Sequence, residues 1–149
     1  MFRESGDGQN GLPRAQVALD GSGACIGQAR DAAAAFLARE WDEGRFTVSK
    51  RTAELTGLVV SELVTNAIKY APGPVLLDLL IAEDTVEVSV WDTDPVLPAA
   101  RAADPARVGQ HGLEIVTAVA RRMSAVSKGM GKCITVALAL ADDTTPRTA

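Results

Sequence analysis

The sequence predicts an α+β fold: a two-layer sandwich of three main helices on one face of a mixed, largely antiparallel sheet. Three observations carry this. Apolar residues recur at helical spacing in three stretches, and they alternate with polar residues in others. Strands also outnumber the crossovers that parallel pairing needs. The order reads strand, helix, helix, two strands, long loop, helix, two strands.

Ala15–Leu19 is a short strand candidate, stopped by Asp20-Gly21-Ser22-Gly23. From Ala24 to Glu43, residues Ile26, Ala29, Ala33, Phe36, Leu37 and Trp41 follow helical spacing, and Gly44 supplies a C-terminal stop. A second helix is expected from about Ser49 to Tyr70, with Leu55, Val59, Leu63 and Ala67 in its stripe. Ala71-Pro72-Gly73-Pro74 ends it, because proline cannot continue the hydrogen-bond ladder. Val75–Ala82 is nearly all apolar, and Glu83-Asp84 suits a hairpin turn. Val86, Val88 and Val90 then alternate with Glu87, Ser89 and Trp91, a half-buried strand that Asp92-Thr93-Asp94-Pro95 stops. Residues 95–111 hold three prolines and form a loop of a length usually kept for function or motion. A third helix is expected from Gly112 to about Met123, with Leu113, Val116, Ala120 and Met123 on one side. Ala125–Lys128, the turn Gly129-Met130-Gly131 and a strand with Ile134, Val136, Leu138 and Leu140 inward complete the domain.

The chain has 149 residues, the size of one domain, placed at 15–140 between polar tails (1–14 and 141–149) expected to be disordered. It is 47% hydrophobic, but 25 of these residues are Ala and only six are aromatic, so Leu, Val and Ala must build the core. A domain of this length buries enough surface to need no covalent staple. Cys25 and Cys133 are the two cysteines, which excludes a disulfide scaffold and fits a reducing cytoplasm. The net charge of −4 argues against a general nucleic-acid binder. That total hides an asymmetry: residues 1–100 carry 8 basic and 15 acidic groups, residues 101–149 carry 7 and 4. No signal peptide or apolar stretch of membrane length is visible, so a cytoplasmic protein without a membrane partner is expected.

Four segments carry candidate chemistry. Glu62, Asn66 and Lys69 stand at i, i+4 and i+7, so a carboxylate, an amide and an ammonium project from one helical face. An amide oxygen suits Mg²⁺, an ammonium meets phosphate, and a carboxylate takes a proton from a hydroxyl. The same spacing also suits a solvated polar face. Asp92, at a strand end, is placed to accept a hydrogen bond from an exocyclic amine, although aspartate is also ordinary at such junctions. Gly109-Gln110-His111-Gly112-Leu113 precedes a helix, where glycines let a ligand approach the backbone and the helix N-terminus favours anions. Gly131-Lys132-Cys133-Ile134-Thr135 enters the last strand, and is equally a plain hairpin with a buried thiol.

In order and spacing, these four segments resemble the ATP-binding (Bergerat) fold of gyrase, 90-kDa heat-shock chaperones, sensor histidine kinases and MutL. The similarity spans roughly Ala15–Leu140 and is greatest to the small bacterial anti-sigma-factor serine/threonine kinases. Its most specific part is Glu62-Leu63-Val64-Thr65-Asn66-Ala67-Ile68-Lys69-Tyr70. The resemblance implies ATP and Mg²⁺ as ligands. Glu62 would then be the general base, Asn66 the Mg²⁺ ligand, Lys69 a neighbour of the phosphates and Asp92 the reader of the adenine amine. Residues 95–111 would form a lid that contributes Arg107, Gly109 and His111, with Gly112 and Leu113 at its junction with the third helix. Cys133 would stand where the family often has threonine beside the base.

The same resemblance implies a protein serine/threonine kinase of a partner-switching pathway. Its partners would be a sigma factor or other regulatory protein and a small antagonist protein as phosphorylation substrate, with a homodimer as its own assembly. Three positions depart from the family pattern. Thr93-Asp94-Pro95 follows Asp92 where glycine is usual, the Gly109–Gly112 spacing is one residue wider than Gly-x-Gly, and Cys133 lacks the hydroxyl. These departures suit an alternative: a catalytically weak nucleotide-binding module that sequesters a regulatory partner. A self-contained sensor histidine kinase is set aside, because its phospho-acceptor helix has no counterpart and the one histidine, His111, falls in the lid.

Overall fold

Alternating burial, period two in the strands and near 3.6 in the helices, organises the protein into two layers. A computed structural model describes residues 2–5, 12–44, 46–70, 73–93 and 110–140. The elements are β1 (Phe2–Ser5), β2 (Arg14–Leu19), α1 (Cys25–Asp42), α2 (Lys50–Tyr70), β3 (Val75–Ala82), β4 (Thr85–Asp92), α3 (Gln110–Val119), β5 (Arg122–Lys128) and β6 (Gly131–Ala139). The six strands form one sheet in the order β1-β2-β3-β4-β6-β5, and each described pairing is antiparallel. The α+β two-layer class is therefore as expected, with helices on one face of the sheet.

Between the layers lies an aliphatic core. Leu77, Leu79, Val88, Val136 and Leu138 rise from the sheet to meet Ala33 and Phe36 of α1, Val59, Leu63 and Val64 of α2, and Val116 of α3. Phe36 is fully buried, the largest side chain among many small ones. α1 follows a turn in which the Ser22 N–H donates to Asp20 Oδ1 at 2.8 Å. Gly21 is required there: its φ is +87°, and a Cβ would overlap the Gly73 carbonyl oxygen. α2 is capped by Ser49, whose Oγ accepts the Thr52 N–H at 3.0 Å. That first turn is also tied to the end of β6, because Thr52 Oγ1 donates to the Ala139 carbonyl at 2.7 Å.

The other sheet face is read in cross-strand rows. Leu76, Trp91, Cys133 and Val126 form an apolar row, and Asp78, Ser89, Thr135 and Ser124 a polar one. On this face Arg14 makes a paired contact with both Asp78 oxygens, at 3.0 and 2.6 Å, which raises the Arg14 pKa. Ser89 and Thr135 share a hydroxyl hydrogen bond at 2.9 Å.

Three boundaries differ from expectation. Phe2–Ser5 are not disordered, as the 1–14 tail reading held; their backbone pairs with β2, an ordering by hydrogen bonds that composition does not reveal. The third helix ends at Val119 instead of Met123. The Ala120 N–H still reaches the Val116 carbonyl, but the Arg121 N–H donates to Ala137, and β5 begins. Met123 and Ala125 then pack on the core as alternate strand residues, which mimics a helical stripe over so short a run. Finally, Gln110 and His111, expected in the loop, open α3. The expected 141–149 tail lies outside the described residues.

Candidate functional site

α2 buries Val59, Val60, Leu63, Val64 and Ala67, leaving Glu62 and Asn66 half-buried along the edge of that stripe and Lys69 exposed. The helix lies over β4 and β6 and beside α1 and α3. Lys69 Nζ stands 5.9 Å from the centroid of the Tyr70 ring, a cation–π contact. Glu62 also lines a groove of about 800 Å³ between α1 and α2, together with Arg30, Asp31, Glu54 and Ser61. Small residues, Gly27, Ala34, Ala53 and Gly57, line this groove, and a Cβ at Gly27 or Gly57 would meet nothing within 4 Å.

Asp92 ends β4 with its side chain toward the helix layer, in line with Val86, Val88 and Val90. It is not open to solvent there. Lys132 Nζ donates to Asp92 Oδ2 at 2.8 Å, with the two side chains 0% and 2% exposed respectively. The two residues are direct cross-strand partners. β6 comes this close because residue 131 is glycine: a Cβ there would lie 2.0 Å from the Asp92 carbonyl oxygen. Lys132 belongs to the fourth candidate segment, but its pairing with Asp92 is not expected from the sequence. The signal was nevertheless present, since the inward series Ile134, Val136, Leu138, Leu140 extended back by two reaches it.

Cys133 is not brought to Asp92. One position along β6 reverses the side-chain direction, so Cys133 stands on the opposite face, beside Trp91 and Val126, with Sγ 3.7 Å from Thr135 Oγ1. Arg107 and Gly109 lie outside the described residues, as does most of the 95–111 lid. His111 and Gly112 lie in the first turn of α3, and Leu113 packs half-buried against the core.

The donors suit Mg²⁺ with phosphate. Among the described residues no group of three or more His, Cys, Asp or Glu gathers to cage a metal. Mg²⁺ asks for no such cage, since it keeps several waters and takes one or two protein ligands alongside phosphate oxygens. The Asn66 amide, one turn from Glu62 on the same helix, fits that pattern. The Asp92 carboxylate, expected to read a base, accepts the Lys132 ammonium at Oδ2.

The chain thus sets an open antiparallel sheet under a helix that carries a carboxylate, an amide and an ammonium at i, i+4 and i+7. The family model of the histidine kinase-like ATPase domain matches residues 26–138, three-quarters of the chain. The chain belongs to that family. Among solved structures, the histidine kinase domain of the blue-light activated histidine kinase from Erythrobacter litoralis EL346 is similar, with a TM-score of 0.47 and 18% identity, over 77% of this chain and 70% of that one. No curated protein matches the chain. Among the described residues no helix is long and apolar enough to cross a membrane.

Proposed function

We propose that the protein is an ATP- and Mg²⁺-dependent serine/threonine kinase of the anti-sigma type, acting in a cytoplasmic partner-switching pathway. The observation that carries this reading is the Glu62–Asn66–Lys69 face of α2, within the matched family segment. Glu62 accepts the proton of a Ser or Thr hydroxyl as that oxygen attacks the γ-phosphate. Asn66 offers its amide oxygen to the metal, and Lys69 its positive charge to the phosphates. Bound Mg²⁺ neutralises charge across the phosphates. Asp92 is the candidate contact of the adenine amine, and Arg107, Gly109, His111, Gly112, Leu113 and Cys133 are further candidate nucleotide contacts from the family resemblance. The substrate in this reading is a small antagonist protein, the sequestered partner is a sigma factor or similar regulator, and the kinase works as a homodimer.

The test uses labelled ATP and a candidate antagonist protein. Glu62→Ala is expected to abolish phosphate transfer, a loss of at least ~10²-fold, while ATP binding persists. Asn66→Ala is expected to remove the Mg²⁺ dependence of ATP binding with the fold intact by circular dichroism. Transfer that survives Glu62→Ala, or an unchanged titration in Asn66→Ala, rejects these roles. A second reading is favoured by the altered glycine boxes, Thr93-Asp94-Pro95 after Asp92 and the wide Gly109–Gly112 spacing: a nucleotide-binding module that sequesters its partner without turnover. It predicts stable partner binding and no transfer even with the cognate antagonist.

A further inference from the structure

We infer that the groove between α1 and α2 docks the acceptor segment of the substrate, and selects a basic residue three or four positions from the phosphorylated Ser or Thr. The inference deepens the kinase reading above and rests on it, because Glu62 belongs both to that reading and to the groove.

Shape comes first. The groove, of about 800 Å³, has one wall from α1, running from Gly27 to Ala34, and one from α2, running from Ala53 to Glu62. Its lining residues recur three and four apart on each helix, so each wall is one continuous face. Gly27 and Gly57 have open space where a side chain would stand, which gives an entering segment room between the helices. Charge specifies the occupant. The walls hold three carboxylates, Asp31, Glu54 and Glu62, against one guanidinium, Arg30. Among the described residues none of these three carboxylates is held in an ion pair, so their charge is left for a ligand. A basic segment is attracted there and an acidic one repelled. Spacing sets the register. Glu54 and Glu62 stand eight positions apart on α2, about 12 Å along its axis. An extended chain covers that distance in three or four residues, at about 3.3 Å each. A hydroxyl at Glu62 therefore brings an arginine or lysine of the same segment to Glu54.

The experiment titrates the full chain, isotope-labelled for amide NMR, with two capped nonapeptides built on Ala and Gly. One carries Ser at its centre and Arg at both ends; its isomer carries the two Arg directly beside the Ser. The spaced peptide is expected to shift the amides of Gly27, Gly57 and Ser61, and to bind about threefold more tightly than the isomer. Glu54→Gln is expected to erase that preference. Gly57→Leu, which raises helix propensity and fills the groove, is expected to weaken the spaced peptide by at least about tenfold. With labelled ATP, the serine of the spaced peptide is expected to take up phosphate about threefold faster than that of the isomer. Equal binding of the two peptides, or shifts confined to other surfaces, overturns the inference. So does a preference that survives Glu54→Gln, or undiminished binding by folded Gly57→Leu. Docking without transfer, in protein that binds Mg-ATP, overturns the acceptor role of the groove and leaves the nucleotide site standing. A chain that docks the peptide and binds no Mg-ATP removes the kinase reading, and the acceptor role with it.

Discussion

Asp20 shows how much a single side chain does at an element boundary. Its carboxylate accepts the Ser22 N–H in the turn before α1, and that hydrogen bond holds the Asp20 pKa below the usual aspartate range. The sign follows: a depressed folded pKa contributes stability above the unfolded pKa, lost as pH falls through the folded value. Titration of the Asp20 carboxyl by NMR should therefore show a midpoint below that of an unstructured peptide, with the Ser22 amide shift following the same curve. A midpoint at the peptide value would rule the hydrogen bond out. At this scale the sequence was legible where a residue's neighbours in space are its neighbours in the chain. Glu62, Asn66 and Lys69, which fall on one helix as their spacing predicts, are a case of that kind. Lys132 meeting Asp92 was not, because 40 residues separate them and only sheet register reveals the contact.

Elements were legible where their period was long enough to exclude the alternatives. α1 and α2 span 18 and 21 residues, several helical turns each, and their expected limits agree with the observed ones to within a residue or so. α3 ends early because Met123 continues both a helical stripe and a strand alternation, and seven residues of β5 do not separate the two. Strand parity also governs the site, since it puts Lys132 on the Asp92 face and Cys133 on the other. The β3–β4 hairpin offers a test of local conformation. Its two-residue turn holds Glu83 at φ +56°, a left-handed conformation that side chains resist. Glu83→Gly is expected to raise stability by ~0.5–1 kcal/mol, read as a higher urea midpoint at unchanged m-value. A lower midpoint would show that the turn gains more from the glutamate side chain than its backbone loses.

For the whole molecule, the poverty in aromatic residues concentrates packing on Phe36. It is fully buried in α1, among small residues such as Ala29, Ala32 and Ala33, which have little reach to refill a gap. Phe36→Ala is expected to cost ~3–5 kcal/mol, measured by denaturant unfolding. A cost under ~1 kcal/mol would mean that the layers collapse onto the void. The charge asymmetry also takes physical form here, because Lys132, from the basic part of the chain, is spent on neutralising a buried aspartate from the acidic part.

The strand order has a kinetic consequence. β3 with β4 and β5 with β6 are local hairpins, whereas β4 with β6 is a long-range pairing that closes a loop of about 40 residues between Asp92 and Lys132. Hairpins of neighbouring strands form in microseconds, and joining them waits on that closure. β2 with β3 closes a longer loop still, between Leu19 and Val75, so the sheet is complete only after both closures. Exchange of backbone amides along the β4–β6 seam would report directly on how firmly the two hairpins are clasped.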